Sequence, residues 1–187
     1  MSVTVRPFAA GLGADISGVD IREPLSTADR AAIRAAWLAN LVLRFRGQPM
    51  TDEQHLAFTS QFGALEFNPA ALIARQYGVE TQTAGRKREI PPEISVVSNI
   101  IEDGKAIGGL GDGEAFWHTD SSFVDVPPAA SLLRALEAPP PSAGRAHKRF
   151  EQVDDVSRVP GARQPMVRTH PETGKKALFS VAASTPL

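Results

Sequence analysis

The segment Gly111–Phe123, with the sequence GDGEAFWHTDSSF, guides the interpretation of the rest of the chain. Residues i and i+2 of an extended strand point to the same side of that strand. His118 and Asp120 would then present an imidazole and a carboxylate to one shared point. Such a pair can form a local hydrogen bond on a surface strand, or it can supply two ligands to a metal ion.

The residues around this pair favour a ligand site over a surface hydrogen bond. A glycine-rich stretch, Gly104–Gly113, precedes the pair, and glycine lets the backbone approach a ligand closely. Phe116 and Trp117 can supply an apolar wall. Histidine and carboxylate together make two thirds of the 2-His-1-carboxylate triad that holds non-heme Fe(II) with coordination positions left open. Zinc accepts the same nitrogen and oxygen ligands, so the pair by itself leaves the metal undecided.

Length and composition limit the classes of function. The 187 residues indicate one domain, spanning 1–187, with a sizeable core. The formal net charge is -1, which gives no reason to expect a nucleic-acid or membrane partner. The chain has no cysteine, so any metal must be bound through nitrogen and oxygen. The N-terminus lacks the apolar run of a signal peptide, and we expect a cytoplasmic protein.

Hydrophobic spacing and turn residues predict a mixture of strands and helices. Two capping boxes, at Ser26–Asp29 and Thr51–Gln54, predict the starts of two helices, the second of which ends at Gly63. The first helix places Ile33, Ala36, Trp37 and Leu41 on one face. Strands are predicted at 3–5, 11–19, 41–46 and 94–100, with a hairpin around 171–174 and a loop over 104–113. The pattern at 129–136 allows a helix or a strand, and the prolines on both sides favour a strand.

Several segments in this order resemble the taurine dioxygenase (TauD/TfdA) family of Fe(II)- and 2-oxoglutarate-dependent oxygenases. The similarity covers most of residues 10–140 and returns at 165–180. Its central element is WHTDSSF at 117–123, which resembles the family's iron-binding WHTDxSF motif. The other segments are GADISGVD at 13–20, LRFRGQ at 43–48, FTSQFGALE at 58–66, PP at 127–128 and RTHPETG at 168–174.

The resemblance implies a double-stranded β-helix (jelly-roll) core flanked by helices, incomplete in this chain. It implies that His118 and Asp120 bind Fe(II), with 2-oxoglutarate as co-substrate and O2 as oxidant. It also implies oxidation of an unactivated C–H bond in a small, anionic organic substrate of the sulfonate or aryloxyalkanoate type. A homo-oligomer is compatible with this interpretation.

Two functional groups that the resemblance calls for are not identifiable in the sequence. These are a second histidine ligand further along the chain and, beyond it, an arginine that pairs with the co-substrate carboxylate. The histidines that follow His118 are His147 and His170. His147 lies in a segment unlike any ligand segment, and His170 occupies the turn in which the family has a non-ligand histidine.

We therefore expect that segments near residues 144 and 180 and a C-terminal part are missing from these 187 residues. The intact protein should then exceed 20.0 kDa in mass, and the 187 residues by themselves should be inactive. Two alternatives remain open. One is a truncated relative that has lost catalysis, and the other is a cupin-like binding module whose metal is structural or absent.

Overall fold

The computed structural model describes residues 2–9, 11–68, 71, 90–98, 100–110, 119–121, 124–137 and 164–179. The chain divides into two compact units. The first comprises Met1–Leu65 with Pro171–Gly174, and the second comprises Glu66–His170 with Lys175–Leu187. These units are groups of residues that lie close together in space, and they are not necessarily separate functional domains. The expectation of one functional domain over 1–187 stays a prediction.

The first unit contains a three-stranded sheet with β1 at one edge, β2 in the centre and β3 at the other edge. Strand β1 (Thr4–Pro7) pairs antiparallel with β2 (Ala14–Ser17), and β2 pairs parallel with β3 (Leu43–Phe45). Directly opposite residues share a face of a sheet. The register therefore places one row of apolar side chains, Val5, Ile16 and Phe45, on one face of the sheet.

Helix α1 (Thr27–Asn40) contributes the helical part of the core of this unit. Ile33 and Ala36 of α1 are buried with Ile16, and Leu25, Leu43 and Phe45 are among the half-buried side chains packed around them. The predicted cap is present, because the Ser26 side chain accepts a hydrogen bond from the Asp29 N–H at 3.0 Å. Leu41 was expected on the buried face of the helix, and this is wrong. The helix ends before Leu41, whose side chain is 51% exposed.

Helix α2 (Asp52–Ser60) begins with the complete capping box that its sequence predicts. The Thr51 side chain accepts from Gln54 N–H at 3.2 Å, and the Gln54 side chain accepts from Thr51 N–H at 2.9 Å. The side chain of Phe58 is buried, with its ring 5.5 Å from that of Phe45. The predicted end at Gly63 is wrong, because α2 is already capped at Gln61.

Four short strands near residue 100 belong to the second unit. They are β4 (Val97–Ser98), β5 (Ile101–Glu102), β6 (Lys105–Ala106) and β7 (Gly109–Leu110). Strands β5 and β6 form an antiparallel hairpin across Asp103 and Gly104, which have φ values of 50° and 75°. Strand β7 pairs parallel with β4. The predicted loop over 104–113 is therefore wrong at β6 and β7, while residues 111–113 lie outside the described residues.

Gly108 explains how β7 reaches β4. A Cβ atom at this position would lie 2.7 Å from the Val96 carbonyl oxygen and 2.8 Å from the Ser98 nitrogen. Only a residue without a side chain permits such an approach without displacing the backbone. Glycine in this segment therefore serves strand pairing as well as chain reversal.

The predicted hairpin around residues 171–174 is confirmed. Strands β8 (Val167–Thr169) and β9 (Lys176–Leu178) pair antiparallel. The strand predicted over residues 129–136 is wrong, because this segment is irregular. Its Leu133 and Leu136 side chains are 89% and 79% exposed, so these two apolar residues are not packed in a core.

The mixed helix-and-strand content predicted from the sequence is confirmed in the described part of the chain. The described residues form one sheet of three strands and three sheets of two strands. The jelly roll stays a prediction. None of the helices in the described ranges has the length and apolar character needed to span a membrane.

Candidate metal centre

Asp120, the carboxylate of the His-x-Asp pair, is exposed and lies in a turn with Ser121. The sequence predicted an extended strand through the pair, and at Asp120 this is wrong. His118 lies outside the described residues, as do Phe116 and Trp117. The convergence of His118 and Asp120 on one point therefore stays a prediction.

The backbone directly after Asp120 adopts an unusual conformation. Ser121 has a φ of 52°, in the left-handed region that residues with a Cβ seldom occupy. The Val124 N–H donates to the Ser121 carbonyl oxygen at 3.2 Å and closes the turn. Strained backbone of this kind persists where surrounding contacts hold it, and it is concentrated at ligand and active sites.

The third ligand is not found in the described part of the chain. Among those residues, no three His, Cys, Asp or Glu side chains lie together in a way that could hold a metal ion. His170 is placed by the β8–β9 hairpin, in which its N–H donates to the Lys175 carbonyl oxygen at 2.8 Å. His147 lies outside the described residues.

The donor chemistry of the chain nevertheless fits Fe(II). A chain without cysteine can offer only nitrogen and oxygen side-chain ligands of the kind found in facial-triad iron sites. Asp120, which is exposed, carries such an oxygen. The assignment of His118 and Asp120 as metal ligands stays a prediction.

A separate polar surface lies in the first unit, on the face of the sheet opposite Ile16. The register places Arg6, Asp15 and Arg44 side by side across the three strands. Arg44 donates to both carboxylate oxygens of Asp15, at 2.6 and 2.9 Å, and Arg46 Nε lies 3.6 Å from the same carboxylate. The Arg44 hydrogen bonds hold the pKa of Asp15 below its ordinary value.

This face borders an open depression of about 550 Å³. Its polar lining includes Arg6, Asp15, Asp20, Arg22, Arg46 and Gln48. Gln48 has a structural role, since its side chain accepts from Ile21 N–H at 2.8 Å and donates to the Val19 carbonyl oxygen at 3.1 Å. Two of the arginines that line the depression form ion pairs with its carboxylates, Arg22 with Asp20 and Arg46 with Asp15.

Comparison with known proteins identifies the family to which this chain belongs. Residues 4–146 match the model of the family described as "Taurine catabolism dioxygenase TauD, TfdA family". The chain belongs to the TauD/TfdA family. The matched range includes both helices of the first unit and the His118–Asp120 pair, so the resemblance identified from the sequence is confirmed.

Individual relatives agree with this assignment. The chain is 30% identical over 148 residues to the alpha-ketoglutarate-dependent 2,4-dichlorophenoxyacetate dioxygenase of Cupriavidus pinatubonensis, covering 75% of this chain and 47% of the relative. It is 27% identical over 163 residues to the (S)-phenoxypropionate/alpha-ketoglutarate-dioxygenase of Delftia acidovorans, covering 84% and 51% respectively. A third relative, the alpha-ketoglutarate-dependent sulfate ester dioxygenase of Pseudomonas putida, is 31% identical over 139 residues, with 74% and 39% covered.

The matched region spans about half the length, or less, of these relatives. The match to this chain therefore establishes the family. It does not establish the activity of the whole protein. The identities of 27–31% agree with the family assignment and leave the substrate open.

One residue near the candidate centre was not found by sequence analysis. Gln164 donates from its side chain to the carbonyl oxygens of Val124 and Asp125, in the segment that follows Asp120. A lone glutamine 40 residues further along the chain carries no pattern that would indicate this contact. The contact depends on tertiary structure alone.

Proposed function

We propose that this chain carries the first two iron ligands, His118 and Asp120, of an Fe(II)- and 2-oxoglutarate-dependent dioxygenase. The observation that carries the proposal is the family match over residues 4–146, which contains WHTD at 117–120. The exposed Asp120 carboxylate, next to the left-handed Ser121, supports it from the structure. The jelly-roll core belongs to the same proposal, since it rests on family membership.

The roles of the protein's own residues follow from their chemistry. The neutral His118 imidazole would donate a ring-nitrogen lone pair to the metal, and Asp120 would donate a carboxylate oxygen. Bound iron, with 2-oxoglutarate and O2, supplies the oxidising power needed to attack an unactivated C–H bond. The turn at Ser121 fixes the direction in which Asp120 leaves the backbone, and the protein positions the substrate and excludes water.

The proposed substrate is a small organic anion of the sulfonate or aryloxyalkanoate type. Two of the relatives are named for dichlorophenoxyacetate and phenoxypropionate, and a third for sulfate esters. These three substrate classes share an anionic group attached to a small organic skeleton. That shared chemistry is what we extend to this protein.

The metal assignment is tested by anaerobic titration of the complete protein with Fe(II). The wild type should bind one equivalent, and His118→Ala and Asp120→Ala should each weaken binding by at least about tenfold, because each removes one ligand. His170→Ala is the matched control, because it removes a histidine that lies in the β8–β9 hairpin. Unchanged iron affinity in the His118 and Asp120 variants would refute the assignment, and loss of binding in the control would identify His170 as a ligand.

Activity is tested by measuring succinate release from 2-oxoglutarate across a panel of sulfonates, sulfate esters and aryloxyalkanoates. We expect turnover of at least one member by the complete protein and none by a protein consisting of the 187 residues alone. Turnover by the 187 residues would show that His147, His170 or a water completes the site. Absence of both iron binding and turnover in the complete protein would favour the binding-module alternative.

A further inference from the structure

The side chain of Gln164 reaches back along the chain to the segment that follows Asp120. Its Nε2 lies 2.6 Å from the Val124 carbonyl oxygen and 3.3 Å from that of Asp125. A carboxamide nitrogen carries two hydrogens, so it can donate to both oxygens. One side chain therefore ties down two consecutive peptide groups that are 40 and 39 residues away in sequence.

Val124, which Gln164 holds, is also hydrogen-bonded to Ser121, the residue next to Asp120. Ser121 has a φ of 52°, and its carbonyl oxygen accepts from Val124 N–H at 3.2 Å. A residue with a Cβ pays about 1–2 kcal/mol in the left-handed region. The Gln164 carboxamide adds a contact at Val124, one of the two residues that this hydrogen bond joins. Release of Val124 would let Ser121 relax and re-aim the adjacent Asp120 side chain.

Gln164 is itself tethered to regular structure. Two residues separate it from the start of β8, and the intervening Met166 accepts a hydrogen bond from Phe179 N–H at 2.7 Å, which extends the β8–β9 ladder. Pro165 has a fixed φ, which further restricts the path of the chain between Gln164 and the hairpin. The contact thus links the Asp120 turn to a hydrogen-bonded hairpin in the same unit.

We propose that Gln164 is a positioning residue for Asp120, fixing the direction of this metal ligand through the Val124–Ser121 turn. The inference rests on the proposed function, because it assigns Asp120 to the metal. Residues that orient metal ligands from outside the coordination sphere typically contribute 10–100-fold to metal affinity. Because Gln164 acts through the backbone of the turn, we expect an effect at the lower end of this range, about tenfold.

The proposal is tested by titrating the complete protein with Mn(II), an air-stable probe of the site, followed by electron paramagnetic resonance. Gln164→Met keeps the length of the side chain and removes its donors. It should raise the Mn(II) Kd about tenfold. Gln164→His can place an Nε2–H near the position of the glutamine Nε2 and should restore an affinity close to that of the wild type. Glu137→Gln, at an exposed position in the same unit, is the control and should leave the Kd unchanged.

The comparison of variants separates positioning from general stabilisation. A purely structural contact would lower the thermal midpoint of the metal-free protein in the Met variant, restore it in the His variant, and leave the Kd unchanged in both. That result would overturn the proposal. If the wild type and Gln164→Met bind Mn(II) with equal affinity, the positioning role is overturned and the proposed function stands. A wild type that binds neither Mn(II) nor Fe(II) would overturn both.

Hydrogen exchange gives a readout that is independent of the metal. In Gln164→Met the Val124 amide should exchange faster than in the wild type, because the turn that protects it is no longer held. Unchanged exchange at Val124 would contradict the proposal. Should the Met variant not fold, Gln164→Asn replaces it, since the shorter side chain withdraws the carboxamide from both carbonyl oxygens. If the Asn variant binds Mn(II) with the same Kd as the wild type, the proposal is likewise overturned.

Discussion

Replacement of Ile16 by alanine should destabilise the first unit far more than the same replacement at its neighbour Val5. Ile16 lies in the central strand β2, is 3% exposed, and packs with Ile33 and Ala36 of α1. Val5 lies directly opposite Ile16 in the ladder and on the same face of the sheet, but it belongs to the edge strand and is 38% exposed. The two positions therefore differ in burial while sharing a face.

The expected magnitudes follow from the carbon atoms removed and their burial. Ile16→Ala removes about three methylene equivalents at about 0.8 kcal/mol each, or about 2.4 kcal/mol, before any cavity is counted. The half-buried neighbours Leu43 and Phe45 can move partly into the space, so the cavity adds less than in a fully enclosed core. We expect a loss of about 3 kcal/mol. Val5→Ala removes about two equivalents from a partly exposed site and should cost about 1 kcal/mol.

Urea unfolding of the complete protein, followed by tryptophan fluorescence, measures both losses. Trp37 of α1 contributes to the signal from the unit that contains the mutation. The midpoint should fall in both variants with an unchanged slope, about three times further for Ile16→Ala. Equal losses in the two variants would refute the reasoning, because burial of Ile16 between β2 and α1 would then carry no special weight.

Two further predictions concern the backbone and the ion pairs of the same unit. Leu41 has a φ of 66° and is 51% exposed. Leu41→Gly removes about 1–2 kcal/mol of left-handed strain but also four half-exposed carbons, worth about 1.6 kcal/mol on the scale used for Val5, so the thermal midpoint should stay nearly unchanged; a loss as large as that of Ile16→Ala would contradict this. Hydrogen bonds from Arg22 lower the pKa of the Asp20 carboxyl to about 2 from its ordinary value of 3.8. A depressed folded-state pKa stabilises the protein above the unfolded-state pKa, and this contribution is lost as the pH falls through the folded-state value. The stability difference between the wild type and Asp20→Asn should therefore be constant above about pH 5 and disappear towards about pH 2; a difference that persists at the lowest pH would argue against the Arg22 ion pair as its cause.

The sequence was sufficient where the determining interactions are local. Ser26 and Thr51 cap the two helices as predicted, because a capping side chain bonds to a backbone group within the same turn. The β8–β9 hairpin was predicted for the same reason, since its turn residues lie between the strands they join. The WHTD motif at 117–120 identified the family and the candidate ligands His118 and Asp120, because a ligand pair two residues apart is itself a local feature.

Tertiary structure decided the features that depend on residues far apart in the chain. The glycine-rich stretch contains β7, because a parallel pairing with β4 outweighs the local preference of glycine for turns. A strand was favoured over residues 129–136 because prolines bound this apolar segment, but a bounded apolar segment forms a strand only when another strand supplies hydrogen bonds. The contact of Gln164 with the segment after Asp120 could not be predicted from the sequence either, because its partners are backbone carbonyls. Every residue has such a carbonyl, so no sequence pattern marks the ones that a distant side chain will reach.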